Sequence, residues 1–247
     1  MGEFVTRTYR DLHKGHDLTY FKVQVKQTDL AIGVDRDCFS PFLAERTERL
    51  VIKLRGDLET YALLHPPFLS SLEPISLLPN APEIARRMAE AAMQAGVGPM
   101  AAVAGAFAEE VGLFLGTQSK NVIVENGGDL FVKTITERKV AVFAGDSPFS
   151  NRIAIRIKPE ESTLGICTSS GTVGPSLSFG RADAALVKAR TAYLADAVAS
   201  GVGNRVTDKD DLLTAIEYGQ QVAGVKGMLI IMEDKMAAWG DIEIIRI

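Results

Sequence analysis

The chain has 247 residues, 47% hydrophobic and 23% charged, with 27 basic against 31 acidic side chains. That length fills one large domain or two small subdomains on a shared core, because single cores stop growing at about 250–300 residues. A formal net charge of −4 with only 7% aromatics excludes the clustered cations and stacking platforms by which proteins hold nucleic acid.

The N-terminal segment carries charges every few residues and lacks the apolar core of a secretory signal. Cys38 and Cys167 stand far apart with no CxxC pair, so neither a zinc ribbon nor a disulfide framework is indicated, and a reduced, cytoplasmic setting is expected. No run reaches the roughly 18 consecutive apolar residues of a bilayer span, so no membrane partner is expected. Residues 21–25 and 29–34 alternate apolar and polar side chains across a short connection, which predicts a β-hairpin opening the chain at a sheet edge.

Ser40 before Pro41 is a helix start: a hydroxyl to cap free N–H groups, then a proline whose missing N–H costs nothing. Leu43, Thr47, Leu50, Val51, Leu54, Leu58 and Tyr61 share one face of that helix, which Pro66 and Pro67 stop near residue 64. The proline-rich segment 65–79 is a boundary or an irregular crossover, so the chain reads as a single domain, 1–247, with a soft division near 65–80. Asn80 and Glu83 resemble a capping pair for a second helix with Ile84, Met88, Ala91 and Ala95 inward and Gly96 at its end. Gly98 and Pro99 open a third, alanine-rich helix through Val103, Phe107, Val111 and Phe114.

Beyond Gly116 the pattern turns to strands at 121–124, 130–133, 139–143, 153–157 and 164–168, whose β-branched content and turn spacing predict an antiparallel sheet. Helices around 192–202 and 208–223 and strands at 227–232 and 242–245 complete an α+β class.

Three motifs carry chemistry. An apolar strand delivers Asn126, Gly127, Gly128 and Asp129 to its tip, where the glycines let backbone amides approach a ligand; taken alone, the segment reads first as a hairpin turn. A second strand leads into Thr168, Ser169, Ser170, Gly171 and Thr172, hydroxyls and amides able to surround phosphate oxygens or to form a polar surface loop. It is no P-loop, because the Gly-Lys-Ser/Thr ending is absent. Asp196 and Ser200 lie one helical turn apart, a carboxylate and a hydroxyl suited to part of a Mg²⁺ shell, or an ordinary pair near two helix ends. His13 and His16 have ligand spacing but no third ligand. Cys167 reads as a small buried hydrophobe or a nucleophile, and Trp239 as packing.

In this order the motifs resemble the ApbE-like superfamily, flavin transferases that move FMN from FAD to a protein threonine. The small-residue helix is matched by 103–110, Gly-Gly-Asp by 127–129, Thr-Ser-Gly by 169–171 and the Ala-Asp helix by 195–200. An uncharacterised bacterial and archaeal branch is more similar still, through Tyr9-Arg10, Thr28-Asp29-Leu30, the segment 98–105 and the segment 176–183. The resemblance implies a duplicated, T-fold-like α+β arrangement with FAD or FMN as the small-molecule phosphate ligand between two halves. It also implies Mg²⁺ held by Asp196, Ser200 and the Ala104 carbonyl, and for the branch a link to sulfur and homocysteine metabolism.

Two departures bear on activity. The transferases carry histidines between the Thr-Ser-Gly loop and the Ala-Asp motif, whereas this chain has only His13, His16 and His65, all upstream. Their small-residue helix includes a Lys-Gly pair, matched here by Gly105 and Ala106. One expectation is a Mg²⁺-dependent enzyme on a phosphorylated or nucleotide substrate, with Asp129 or Asp183 as base. The other is a non-catalytic ligand-binding or accessory protein; the vacant His and Lys positions lead us to expect no standard FMN transfer, with a Mg²⁺-dependent FMN transferase as the alternative.

Overall fold

A computed structural model describes residues 17–172 and 178–247, so the features read at Tyr9, Arg10, His13, His16 and Ser176 lie outside the described residues. The first hairpin forms as its alternation predicts: β1 (Leu18–Val25) and β2 (Thr28–Asp35) pair antiparallel from Leu18 opposite Asp35 to Val25 opposite Thr28. Ser40 then caps α1 (Pro41–Leu64), its Oγ accepting from the Leu43 N–H at 3.1 Å. The face read from spacing is the buried one, with Leu43, Thr47, Val51, Leu54, Leu58 and Tyr61 in the core.

The proline-rich crossover contains one helical turn, α2 (Pro67–Ser70), anchored by the fully buried Phe68. Helix α3 (Glu83–Ala95) buries Ile84, Met88, Ala91 and Ala95 and ends at Gly96 in the left-handed conformation, φ 65°. Asn80 does not cap it. The helix begins after Pro82 with no side-chain cap, and Asn80 instead turns the chain at φ 62°, a conformation asparagine tolerates. A single 3₁₀ turn, Pro99–Ala102, leads into α4 (Val103–Gly116). By length and a mean hydropathy of 1.3 the stretch Pro99–Gly116 could span a bilayer, but 56% of it is buried inside the fold.

Strands β3 (Val122–Asn126), β4 (Asp129–Lys133), β5 (Arg138–Ala141), β6 (Ile153–Ile157) and β7 (Leu164–Ser169) stand within two residues of their expected bounds. Strand β8 (Ala184–Ala189) was not anticipated: all six residues are buried, so no period-2 alternation marks it. Thr191 caps α5 (Ala192–Gly203), a 3₁₀ turn shortens the next helix to α6 (Leu212–Gln220), and β9 (Val225–Met232), β10 (Lys235–Gly240) and β11 (Glu243–Arg246) follow.

The eight-stranded sheet runs β1-β2-β3-β4-β7-β8-β9-β10, antiparallel throughout, beside a three-stranded sheet β11-β6-β5. Its two faces bury different layers. On one, Val124, Cys167, Val187 and Ile230 meet the helices; on the other, Ile166, Leu186 and Ile231 meet Ile153, Ile155 and Ile157 of the small sheet. Lys188, buried in the second layer, pairs with Glu161 and donates to the Asp241 carbonyl at 2.9 Å, so its charge is compensated where it is desolvated. Central β4 and β7 therefore lie under α4 and α5, and their loops open at one end of the sheet.

Candidate functional site at the end of the sheet

Register fixes the centre of the site. Leu130 pairs with Ile166 and Asn126 with Asp129, so the Gly127-Gly128 turn projects beside Thr168, where β7 leaves the sheet. Gly128 has φ 105°, which only glycine adopts freely, and it sits against the Thr168 carbonyl. The Gly-Gly-Asp tip and the Thr-Ser-Ser-Gly loop are thus neighbours.

Asp129 and Asn126 face the helix layer and are buried. The Asn126 amide donates to the Ala104 carbonyl at 3.1 Å, which ties the tip to the first turn of α4. The Asp129 carboxylate takes the Thr168 N–H and lies within hydrogen-bonding reach of the Cys167 thiol, which also reaches the Ala192 carbonyl at 3.5 Å. Burial, then the neighbouring Asp196 charge, pushes the Asp129 carboxyl well above the usual carboxylate range. Burial first, then Asp129, also pushes the Cys167 thiol up; fully enclosed and protonated, that sulfur is packing and not a nucleophile.

Asp196 completes the group from α5. Its Oδ2 accepts the Gly105 N–H at 2.8 Å, and its carboxylate also takes the Ala104 N–H. It therefore caps the N-terminus of α4, whose own N-cap residue, Ala102, has no side chain to do so. Burial of the Asp196 carboxyl raises it to about 7, although the residue as a whole is half-buried. Helix α4 returns the arrangement: Glu109 accepts from the Ala192 N–H at 2.6 Å and caps α5. Arg87 of α3 holds Glu109 and Glu110 together and stacks 4.3 Å over Tyr193, whose hydroxyl donates to Glu110 at 2.8 Å. This reciprocal capping fixes where Asp196 stands relative to the Ala104 carbonyl, and no motif pointed to it.

The remaining sequence candidates divide. Ser200 follows Asp196 by one turn and is half-buried on the same face of α5. Ser169 points to the helix layer, close to Gly203, while alternation turns the Thr168 side chain to the other face, beside Leu186. The Gly128 N–H is taken by Glu125 Oε1 at 2.9 Å, the Gly171 N–H by the Ala182 carbonyl at 2.9 Å, and the Thr172 hydroxyl donates to Asp183 at 2.9 Å. Ser170 packs its hydroxyl near Thr172 and the Ala182 carbonyl. Asp183 stands apart, with its other oxygen taken by the Glu233 N–H at 2.6 Å. It lines an acidic cleft of about 410 Å³ with Asp146, Lys209 and Asp234, a cleft that Asp129 and Asp196 do not line.

Among the described residues no three Asp, Glu, His or Cys side chains form a metal cluster. Asp129 and Asp196 are neighbours, and Ala104 joins the group through its N–H to Asp196 and its carbonyl to Asn126, an oxygen-only set with no Lys or Arg paired to either acid among the described residues. Such a set fits Mg²⁺, which takes one or two carboxylates and fills its shell with water and ligand phosphate.

Residues 10–236 match the family model described as "AbpE bacteria". The chain belongs to the ApbE-like superfamily. It is 39% identical over 220 residues to the UPF0280 protein of Methanocella arvoryzae, covering 89% of this chain and 87% of that one. It is 36% identical over 226 residues to the UPF0280 protein of Methanocaldococcus jannaschii, covering 90% of each. Among solved structures, the flavin transferase ApbE of Vibrio cholerae superposes with a TM-score of 0.54 at 13% identity, over 90% of this chain and 96% of that one. The apo flavinyl transferase ApbE of Pseudomonas stutzeri gives 0.55 at 12% identity, over 90% and 94%. At those identities the shared property is the fold. In this ApbE-like chain His65 sits at the C-terminal end of α1, 3.2 Å from the Tyr61 hydroxyl, on a segment that contributes nothing to the group around Asp129.

Proposed function

We propose that this chain is a cytoplasmic ApbE-like protein that binds a flavin- or nucleotide-type phosphate ligand with Mg²⁺ beside Asp129, Asp196 and the Ala104 carbonyl, and that it does not carry out standard FMN transfer. The observation that carries the reading is the pair of buried acids, Asp129 and Asp196, packed close enough for the Asp196 charge to raise Asp129, with no Lys or Arg paired to either among the described residues. Desolvated like charges are costly unless a cation or a proton joins them. When bound, Mg²⁺ would neutralise ligand phosphate charge. The chain's own part is positional: Asn126 orients the Ala104 carbonyl, α4 orients Asp196, and the Gly127-Gly128 turn and Ser169-Ser170 edge leave small groups at the mouth.

The relatives of known structure are named flavin transferases, which favours a flavin nucleotide over other phosphates. The positions matching the transferases' Lys-Gly pair hold Gly105 and Ala106, and no histidine follows His65, which argues against the transfer step. We also read the element order, two strands, helices and two strands in each half, as the T-fold-like duplication.

Titration calorimetry with FAD, FMN and ADP, with and without Mg²⁺, tests the site. Wild type should bind at least one of them only with Mg²⁺. Asp196→Asn keeps an oxygen for the α4 cap, removes the charge, and should abolish that binding, while Ser200→Thr should preserve it. Equal binding by Asp196→Asn, or no binding by wild type, would remove the site; covalent flavin on a threonine-bearing acceptor would overturn the lack of transfer.

A further inference from the structure

The crossover between α1 and α3 carries a row of outward leucines. Leu63, Leu64, Leu69, Leu72, Leu78 and Met93 are each between 42% and 83% exposed. Five fall within sixteen residues of chain, and the Leu78 N–H returns to the Tyr61 hydroxyl at 3.0 Å, folding the crossover back onto the end of α1. Met93 joins from α3 across a groove of about 320 Å³ whose other wall is Ile75 and Leu77. The six residues present on the order of 600 Å² of apolar surface, the top of the ~300–600 Å² a monomer ordinarily leaves as its largest patch. That is most of the ~800 Å² each partner gives to a standard stable interface.

We propose that this face is the contact by which two copies of the chain form a two-fold dimer. An isologous contact needs a surface that complements itself, and this one has both halves, leucines that project from α1 and α2 and a groove beside α3 that can receive them. The groove's α3 wall also carries Arg86 and Glu90 one turn apart. In an antiparallel approach of two α3 helices, Arg86 of one copy, which in its own chain pairs with exposed Glu83, meets Glu90 of the other, twice. Charge is otherwise sparse, as at the centre of homodimer interfaces: residues 60–79 contain a single charged side chain, Glu73. Against a lipid surface, no Lys or Arg occurs between 56 and 85 and the groove's own cation, Arg86, is paired with Glu83, whereas peripheral membrane faces are rich in cations.

Sedimentation equilibrium on the full chain at about 50 µM tests the contact, since interfaces of this size have dissociation constants at or below the micromolar range. The expected particle has twice the 26.6 kDa chain mass. Leu64→Glu and Met93→Glu, both at exposed positions, should each raise the dissociation constant by about 30-fold or more with an unchanged circular dichroism spectrum. Leu213→Glu, equally exposed but on α6, should leave it unmoved. A monomeric wild type, or a dimer indifferent to both groove variants, would overturn the proposal. So would a monomer that co-sediments with phosphatidylglycerol vesicles through these leucines, which would give the face to a bilayer instead.

Discussion

Replacing Gly105 by alanine sets two physical effects against each other. Within a helix the change ordinarily stabilises by about 0.5–1 kcal/mol, because glycine loses more backbone freedom on folding. Here a Cβ would stand 2.2 Å from the Ala192 carbonyl oxygen and 2.8 Å from Asp196 Cβ, where α4 crosses α5. Neither neighbour is the far end of a flexible chain, so the helices must part. Overpacking of that kind costs roughly 1–3 kcal/mol, and parting also stretches the 2.8 Å bond from the Gly105 N–H to Asp196, a bond to a carboxylate of about 1.5–3 kcal/mol. After the helix gain is subtracted, Gly105→Ala should destabilise by about 2–4 kcal/mol. Gly56, in α1 with nothing within 4 Å of the corresponding position, is the matched control and should gain the usual ~0.5–1 kcal/mol. Urea denaturation of both variants decides between the effects. A Gly105→Ala protein as stable as wild type, or shifted in the same direction as Gly56→Ala, would refute the close crossing and with it the fixed position of Asp196.

Two further outcomes follow from the same network. Asp196 binds its proton up to about pH 7 when folded against an ordinary value of 3.8, so between those values the folded state holds a proton the unfolded chain has lost. Stability in the absence of divalent metal is therefore full below about pH 4 and falls as pH rises toward 7, by up to ~4 kcal/mol. Asp196→Asn should lessen that slope, to which the raised Asp129 and Glu109 carboxyls add with the same sign; a wild-type denaturation midpoint that climbs steadily from pH 4.5 to 7 would contradict it. Acids lowered by partners, such as Asp17 beside Arg138 and Asp211 beside Thr207, act below pH 4 and leave this window clear. Arg87→Met removes the cation facing buried Glu109, whose carboxyl burial already pushes up. A loss of about 3–5 kcal/mol at pH 7 is expected, partly recovered by adding Glu109→Gln, and a variant within ~1 kcal/mol of wild type would show that Glu109 is protonated without Arg87.

Local signals were legible where one residue or one period decides the structure. Ser40 with Pro41, the inward face of α1, Gly96 as a helix stop and the antiparallel strands from β3 to β7 all follow from near neighbours. The two glycine loops could be placed at strand ends, and pairing then made them neighbours. Signals failed where tertiary partners decide. Strand β8, Ala-Ala-Leu-Val-Lys-Ala, has neither alternation nor strong β propensity and is held by burial on both faces, with its lysine neutralised by Glu161 from another layer. Asn80 looked like a cap because Glu83 stood three residues on, but the intervening Pro82 starts the helix later. Asp183 reads as a candidate base, and the sequence does not show that its two oxygens accept from Thr172 and from the Glu233 N–H of the β9–β10 turn.

The family resemblance implies Asp196 as a metal ligand, and neither it nor the spacing to Ser200 tells of the two α4 amides from which Asp196 accepts. The carboxylate therefore stands between two positive influences, the N-terminal end of α4 on one side and the proposed cation on the other. A helix end supplies only about half a charge, too little to hold a buried acid ionised beside Asp129, and so the Asp196 carboxyl remains raised despite its cap. Cation binding would complete the compensation while the two α4 amides hold the carboxylate in place. The scaffold thus fixes the acid in place and leaves its charge unmet, which is the condition under which adding Mg²⁺ should raise stability and ligand affinity together.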